Sequence, residues 1–212
     1  MNAVEASRSD ASKVPGLVSI VFHPWAVLFP VLTLAAYQAV GGSFEWVKWA
    51  LLAYLPCFLF PLLYAKIRAS ILSRQGQYPQ QISRSLVRDN PVQLFIMAGL
   101  FGIPSALILY FLSGPRNLLI IILGITAVML VLALVNTTYR ASFHLGMVTG
   151  MLTSLWFLFG SVSLIGFLLL PILGYSRYQL GEHTPTQMVA GFLIGLVVSG
   201  ATFYRFGFPP MG

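Results

Sequence analysis

Long apolar runs alternate with short polar stretches along this chain, and the runs have the length of a bilayer. They extend from Leu17 to Val40, Trp49 to Ala65, Val92 to about Leu112, Asn117 to Asn136, Phe143 to Phe159, Val162 to about Tyr175 and Pro185 to about Tyr204. A membrane-crossing helix needs about 20 predominantly apolar residues. The pattern therefore predicts an all-α integral membrane protein, a bundle of about six to seven transmembrane helices. It forms one transmembrane domain over residues 17–206, preceded by a polar segment, 1–16. Pro30, Pro56 and Pro61 lie within the first two runs and are read as kinks, because neighbouring helices can satisfy the carbonyls that proline frees. His23, beside Pro24 near the start of the first run, is read as structural.

The polar stretches supply the boundaries. Ile67 to Asn90 is the longest and carries Arg68, Arg74, Arg84 and Arg88 against a single acid, Asp89. It ends in Asn90-Pro91, a helix cap followed by the proline favoured at a first helical position. Ser113-Gly114-Pro115-Arg116 reads as a turn. Ser142 is a candidate cap for the helix that begins at Phe143, which puts His144 in that helix's first turn, and Gly160-Ser161 makes a tight connection. Thr184, Pro185 and Gln187 form the cap, first and third residues of a capping box that opens the last span. Gly146 with Gly150, and Gly191 with Gly195, are Gly-x-x-x-Gly pairs suited to close helix packing.

Composition sharpens the class. With 58% hydrophobic residues and only 8% charged, a soluble domain is excluded. Met1 to Gly16 is polar, with mixed charge and no apolar run, so no cleaved signal is expected. Cys57 is the one cysteine and reads as a small buried hydrophobe. The net charge of +7 arises from Lys and Arg in short loops, without a basic face on any soluble segment. That distribution points away from nucleic acid and towards anionic lipid or a phosphorylated substrate.

Against so few charges, Ser176 to Gln187 is a conspicuous polar island, reading Ser-Arg-Tyr-Gln-Leu-Gly-Glu-His-Thr-Pro-Thr-Gln. Two spans separate Arg88 from His144 and two more separate His144 from His183, so all three polar stretches fall on one membrane face. Each precedes a helix entering from that face, and helix amino ends at Asn90, Ser142 and Thr184 can converge into an anion site. Arg84, Arg88, Arg140 and Arg177 stand beside those ends, and arginine grips phosphate oxygens in a forked geometry. His144 and His183 supply what phosphate-ester cleavage without a metal requires: a nucleophile for phosphorus and an acid for the leaving oxygen. Three scattered histidines and five acids, none at ligand spacing, argue against a metal site, and no cofactor is expected.

These residues resemble the type 2 phosphatidic acid phosphatase superfamily of membrane lipid phosphatases. The family's third motif is Ser-Arg, five residues, His, three residues, Asp. Here it stands as Ser176-Arg177, five residues, His183, three residues, Gln187. The second motif, Pro-Ser-Gly-His, stands as Ala141-Ser142-Phe143-His144. The first, Lys, six residues, Arg-Pro, is eroded: Arg88 is followed by Asp89-Asn90-Pro91, position 81 is Gln, and Arg84 one helical turn earlier stands in for the lysine. The likeness covers about Arg84 to Gly195 and implies a haloperoxidase-like helical core over about 84–206.

The resemblance further implies that His183 is the nucleophile and forms a phosphohistidine, with His144 the general acid. Arg84, Arg88, Arg177 and Ser142 would hold the phosphoryl oxygens, and Gln187 would orient His183 where the family has an aspartate. The expected partner is a lipid phosphate or polyprenyl (di)phosphate within membrane lipid. The alternative is a catalytically weakened, phosphatase-like structural or lipid-binding subunit of a membrane complex, with other membrane proteins as partners; Gln187 and the eroded first motif favour it. The expected location is a bacterial inner membrane. Arg8, Lys13, Lys66, Arg68, Arg74, Arg84, Arg88, Arg140 and Arg177 lie on the motif face against Lys48, Arg116 and Arg205 opposite, which favours a cytoplasmic site.

Overall fold

The computed structural model describes residues 15, 17, 18, 21–41, 43–76 and 91–206. Those residues form α1 (Pro24–Val40), α2 (Glu45–Arg74), α3 (Pro91–Phe111), α4 (Arg116–Val135), α5 (Phe143–Phe159), a 3₁₀ segment (Gly160–Leu168), α6 (Leu169–Gln179) and α7 (Pro185–Arg205), with no strand among them. Helical stretches at Glu45–Arg74, Val92–Phe111, Arg116–Val135, Phe143–Gln179 and Pro185–Arg205 are long and apolar enough to cross a membrane, and Pro24–Val40 is a shorter apolar helix. A helix satisfies its own backbone, which is why this architecture suits a chain so poor in polar side chains. The protein is accordingly a helical membrane protein.

Phe143–Gln179 is nevertheless folded back on itself. Gly174 approaches Leu145 and Gly166 approaches Leu152, which is antiparallel packing about a midpoint near Gly160. Gly160 adopts φ +68°, a conformation that glycine takes without steric cost, and so permits the reversal. The tight connection expected at Gly160-Ser161 is therefore present, although the returning strand of the hairpin begins as 3₁₀ helix. Arg177, near its end, comes back to the level of His144 at the start of α5.

α4 is apolar on all sides and lies at the centre, with Leu118, Ile121, Ile122, Ile125, Val128 and Leu132 fully buried. α7 has two faces. Gly191, Gly195, Ser199 and Phe203 recur every four residues and are buried, whereas Val189, Leu193 and Val197 form the opposite, exposed stripe that lipid would cover. The small stripe packs on Gly146 and Gly150 of α5. Ser199 Oγ donates to the Gly150 carbonyl at 2.9 Å and meets Ser154 Oγ at 3.1 Å, so a short hydroxyl network bridges the pair. Such contacts replace the hydrophobic drive that lipid does not supply between helices.

Three boundaries differ from the sequence expectation. The first apolar run does not continue unbroken from Leu17, because the chain turns at Phe22 and a new helix starts after His23, with Pro24 at its first position. The second helix does not stop at Ala65 but runs to Arg74, so Ile67 to Arg74 is helix and not loop. Lys, Arg, Ala and Leu are good helix formers, and helix ends only at Gln75, followed by Gly76 at φ +80°. Ser176 to Gln179 belongs to the last turn of α6, leaving Leu180 to Thr184 as the turn proper.

Candidate functional site

Arg177 lies in the last turn of α6, a position where cations complement the helix dipole, and it is buried. One terminal nitrogen, Nη2, is 2.9 Å from His144 Nδ1 and 2.6 Å from the Glu182 carboxylate. A guanidinium can only donate, so His144 Nδ1 is the acceptor and the imidazole carries its proton on Nε2. Gly181, at φ +65°, turns the chain after α6, and the Glu182 amide donates to the Arg177 carbonyl at 3.1 Å. This turn brings Glu182 back onto Arg177, so its carboxylate does not act as the orienting acid of His183.

Gln187 does. Its Oε1 accepts from the Thr184 amide at 3.1 Å and lies 3.3 Å from His183 Nδ1, while Thr184 Oγ1 accepts from the Gln187 amide at 3.4 Å. The Thr184 amide can only donate, so the oxygen of the Gln187 side chain faces this way. The His183 contact is then Nδ1–H donating to Oε1. The capping box and the orientation of His183 are thus two uses of one amide oxygen.

The amino ends of α5 and α7 meet directly: the Ser142 amide donates to the Gln187 carbonyl at 2.9 Å. Ser142 occupies the cap position of α5, but its hydroxyl makes no cap bond, contrary to the sequence expectation. That hydroxyl is fully buried and has no hydrogen-bond partner. A buried hydroxyl left unpaired costs about 1–3 kcal/mol, which marks the position as one that a ligand oxygen would relieve. The amino-terminal half of α3 approaches too, since Leu94 and Met97 share a cavity with His144. Arg84 and Arg88 lie outside the described residues, as does Asn90. Arg140 is exposed. At the other end of the bundle Arg116 Nη2 donates to the Phe206 carbonyl at 2.8 Å, which places those residues together away from the histidines, as the span count requires.

His23, expected to be structural, lies in this cluster. Its ring stands edge-on to His144 with centroids 5.1 Å apart, and its Nδ1 accepts from the Trp25 amide at 3.4 Å as the cap of α1. The sequence signal for it is a histidine placed at a helix start, as at His144, although the family motifs do not extend to the first two spans.

Comparison with protein-family models, with curated proteins and with solved structures finds no match to this chain. What fold and site define is a helical membrane protein with a cationic, histidine-bearing cluster at one end of the bundle.

The Arg177–Glu182 pair makes a binding prediction. Any anion reaching Arg177 must compete with that carboxylate, and a largely buried charge pair of this kind contributes about 1 kcal/mol net. Glu182→Gln should therefore lower the Kd for inorganic phosphate at Arg177 roughly fivefold, as a 1 kcal/mol difference dictates. A raised or unchanged Kd would mean that Glu182 supports Arg177 instead of covering it.

Proposed function

We propose that the protein is a metal-independent phosphatase acting on a phosphate or diphosphate monoester of a membrane lipid. The observation that carries this reading is the convergence of His144, Arg177, His183 and the unpartnered Ser142 hydroxyl at the joined amino ends of α5 and α7. In this mechanism the phosphoryl group displaces Glu182 and draws Arg177 away from His144 Nδ1. That nitrogen can then take up a proton, and His144 becomes an acid able to serve the leaving oxygen. His183 Nε2 attacks phosphorus, the phosphorus–oxygen ester bond breaks, and the lipid alkoxide receives the His144 proton. Water then attacks the phosphohistidine with His144 as base, the nitrogen–phosphorus bond breaks, and phosphate leaves. Gln187 holds His183 in the required tautomer throughout.

The Arg177–Glu182 pair also favours a second reading, a phosphatase-like subunit that binds lipid and partner chains without turnover, because the anion position is already covered. Phosphate release by the purified protein from a panel of lipid phosphates, with EDTA present, separates the two. The phosphatase reading requires release from at least one of them. Its absence from every one would overturn that reading.

A further inference from the structure

His23 closes the amino end of α1, where its carbonyl accepts from the Ala26 and Val27 amides and its Nδ1 accepts from the Trp25 amide at 3.4 Å. Asn, Asp, Ser and Thr are the side chains that helix caps favour, so capping alone does not account for an imidazole here. The packing of α1 on α5 sets this ring edge-on to His144, and the Arg177 guanidinium is close enough for its charge to act on it. Both imidazoles line the cavity between α1, α3, α4 and α5. Each is held to one tautomer by a donor at its other nitrogen, the Trp25 amide at His23 Nδ1 and Arg177 Nη2 at His144 Nδ1. Both rings therefore carry their proton on Nε2 and offer an N–H to an acceptor. Neither of these N–H groups has a partner among the described residues.

We propose that His23 is a further ligand of the anion site, its Nε2–H donating to a non-bridging oxygen of the phosphoryl group on which His144 and Arg177 act. The inference rests on the phosphatase reading for the identity of the anion and on the placement of His23 beside His144 and Arg177 for its ligand. Rings 5.1 Å apart and nearly perpendicular can reach different oxygens of one phosphorus. With His144 serving the leaving oxygen, a non-bridging oxygen falls to His23. The transferred phosphoryl group spreads its charge over three such oxygens, and Arg177 is already shared with Glu182, so one guanidinium does not satisfy them. A neutral N–H adds a hydrogen bond to a charged acceptor, which is stronger than one between neutral groups, and brings no second cation beside Arg177. The site then draws on α1 as well as on α5, α6 and α7.

The test measures the Kd of inorganic phosphate for the purified full-length protein by thermal stabilisation in detergent, with phosphate release from lipid phosphates followed in parallel. His23→Asn keeps a favoured cap and removes the ring, whereas His23→Phe keeps a ring against His144 and removes both nitrogens. Each should raise the Kd about tenfold, the loss expected for one hydrogen bond to a charged group. His23→Gln, whose amide nitrogen extends as far along the side chain as imidazole Nε2, should recover most of that affinity. A role in capping alone predicts parental affinity in His23→Asn, and a role in packing alone predicts it in His23→Phe. Either result, affinity in His23→Gln no better than in His23→Asn, or no phosphate binding by the parent would overturn the inference. Should His23→Phe not fold, the contrast between the Asn and Gln variants, neither of which has a ring, decides. Weakened phosphate binding in both ligand-deficient variants with no release from any lipid phosphate would uphold His23 as an anion ligand and refute the phosphatase reading; release by the parent with phosphate affinity unchanged in both variants would do the reverse.

Discussion

Replacing His183 by alanine should abolish phosphate release from any lipid phosphate the protein cleaves, with turnover falling by at least about 10⁴-fold. Loss of a nucleophile in a covalent mechanism has consequences of this order, because no other group can form the intermediate. His183 sits half-buried in the turn before α7, outside the packed helices, and its Nδ1 contact to Gln187 is worth about 1 kcal/mol. The variant should consequently remain folded, with a melting midpoint in detergent close to that of the parent. A loss of turnover with an intact midpoint isolates chemistry from folding. Turnover within tenfold of the parent would remove His183 from the nucleophile's position.

The largest effect on stability is expected at Gly195. A methyl group there would overlap the Gly146 carbonyl oxygen and come within 2.9 Å of the Gly150 nitrogen. Both are backbone atoms of α5 and cannot rotate aside, so the two helices must separate. Overpacking of this kind costs about 1–3 kcal/mol, and the Gly195→Ala midpoint should fall by several degrees. Gly191→Ala should behave alike, because its methyl would overlap the Ser142 carbonyl oxygen. It should also lose activity, since the Ser142–Gln187 bond that joins the two halves of the site is adjacent. Gly200→Ala on the same helix is the control. The nearest atom to its methyl is 3.8 Å away, an ordinary contact, and replacing glycine in a helix interior is favourable by about 0.5–1 kcal/mol. Equal effects at Gly195 and Gly200 would show that helix approach is not what the small stripe provides.

Much of this architecture is legible in the sequence, for physical reasons that differ from element to element. The spans are legible because lipid demands uninterrupted apolar length, and α4 and α7 end within a residue or two of the expected limits. The capping box at Thr184 is legible because it is local chemistry over four residues. The adjacency of His144 and Arg177 follows from counting spans, and the hairpin at Gly160 delivers it. Other features depend on tertiary packing. The continuation of α2 to Arg74 was hidden because Lys66 and Arg68 break the apolar pattern without breaking the helix. The contact between Glu182 and Arg177 depends on the left-handed Gly181 turn, which an extended strand would not make. The Ser142 hydroxyl looks like a cap in sequence, yet burial and the approach of Gln187 leave it without a partner. His23 joins the site only because α1 packs against α5.

The central claim is that His183 carries the phosphoryl group. Acid or alkaline quenching of the purified protein during turnover of a ³²P-labelled lipid phosphate tests it directly. The account predicts a phosphoprotein that survives alkali, is lost in acid, maps to the peptide containing His183 and is absent from His183→Ala. Phosphate release with no such species in rapid-quench samples, or label on any other residue, would contradict it.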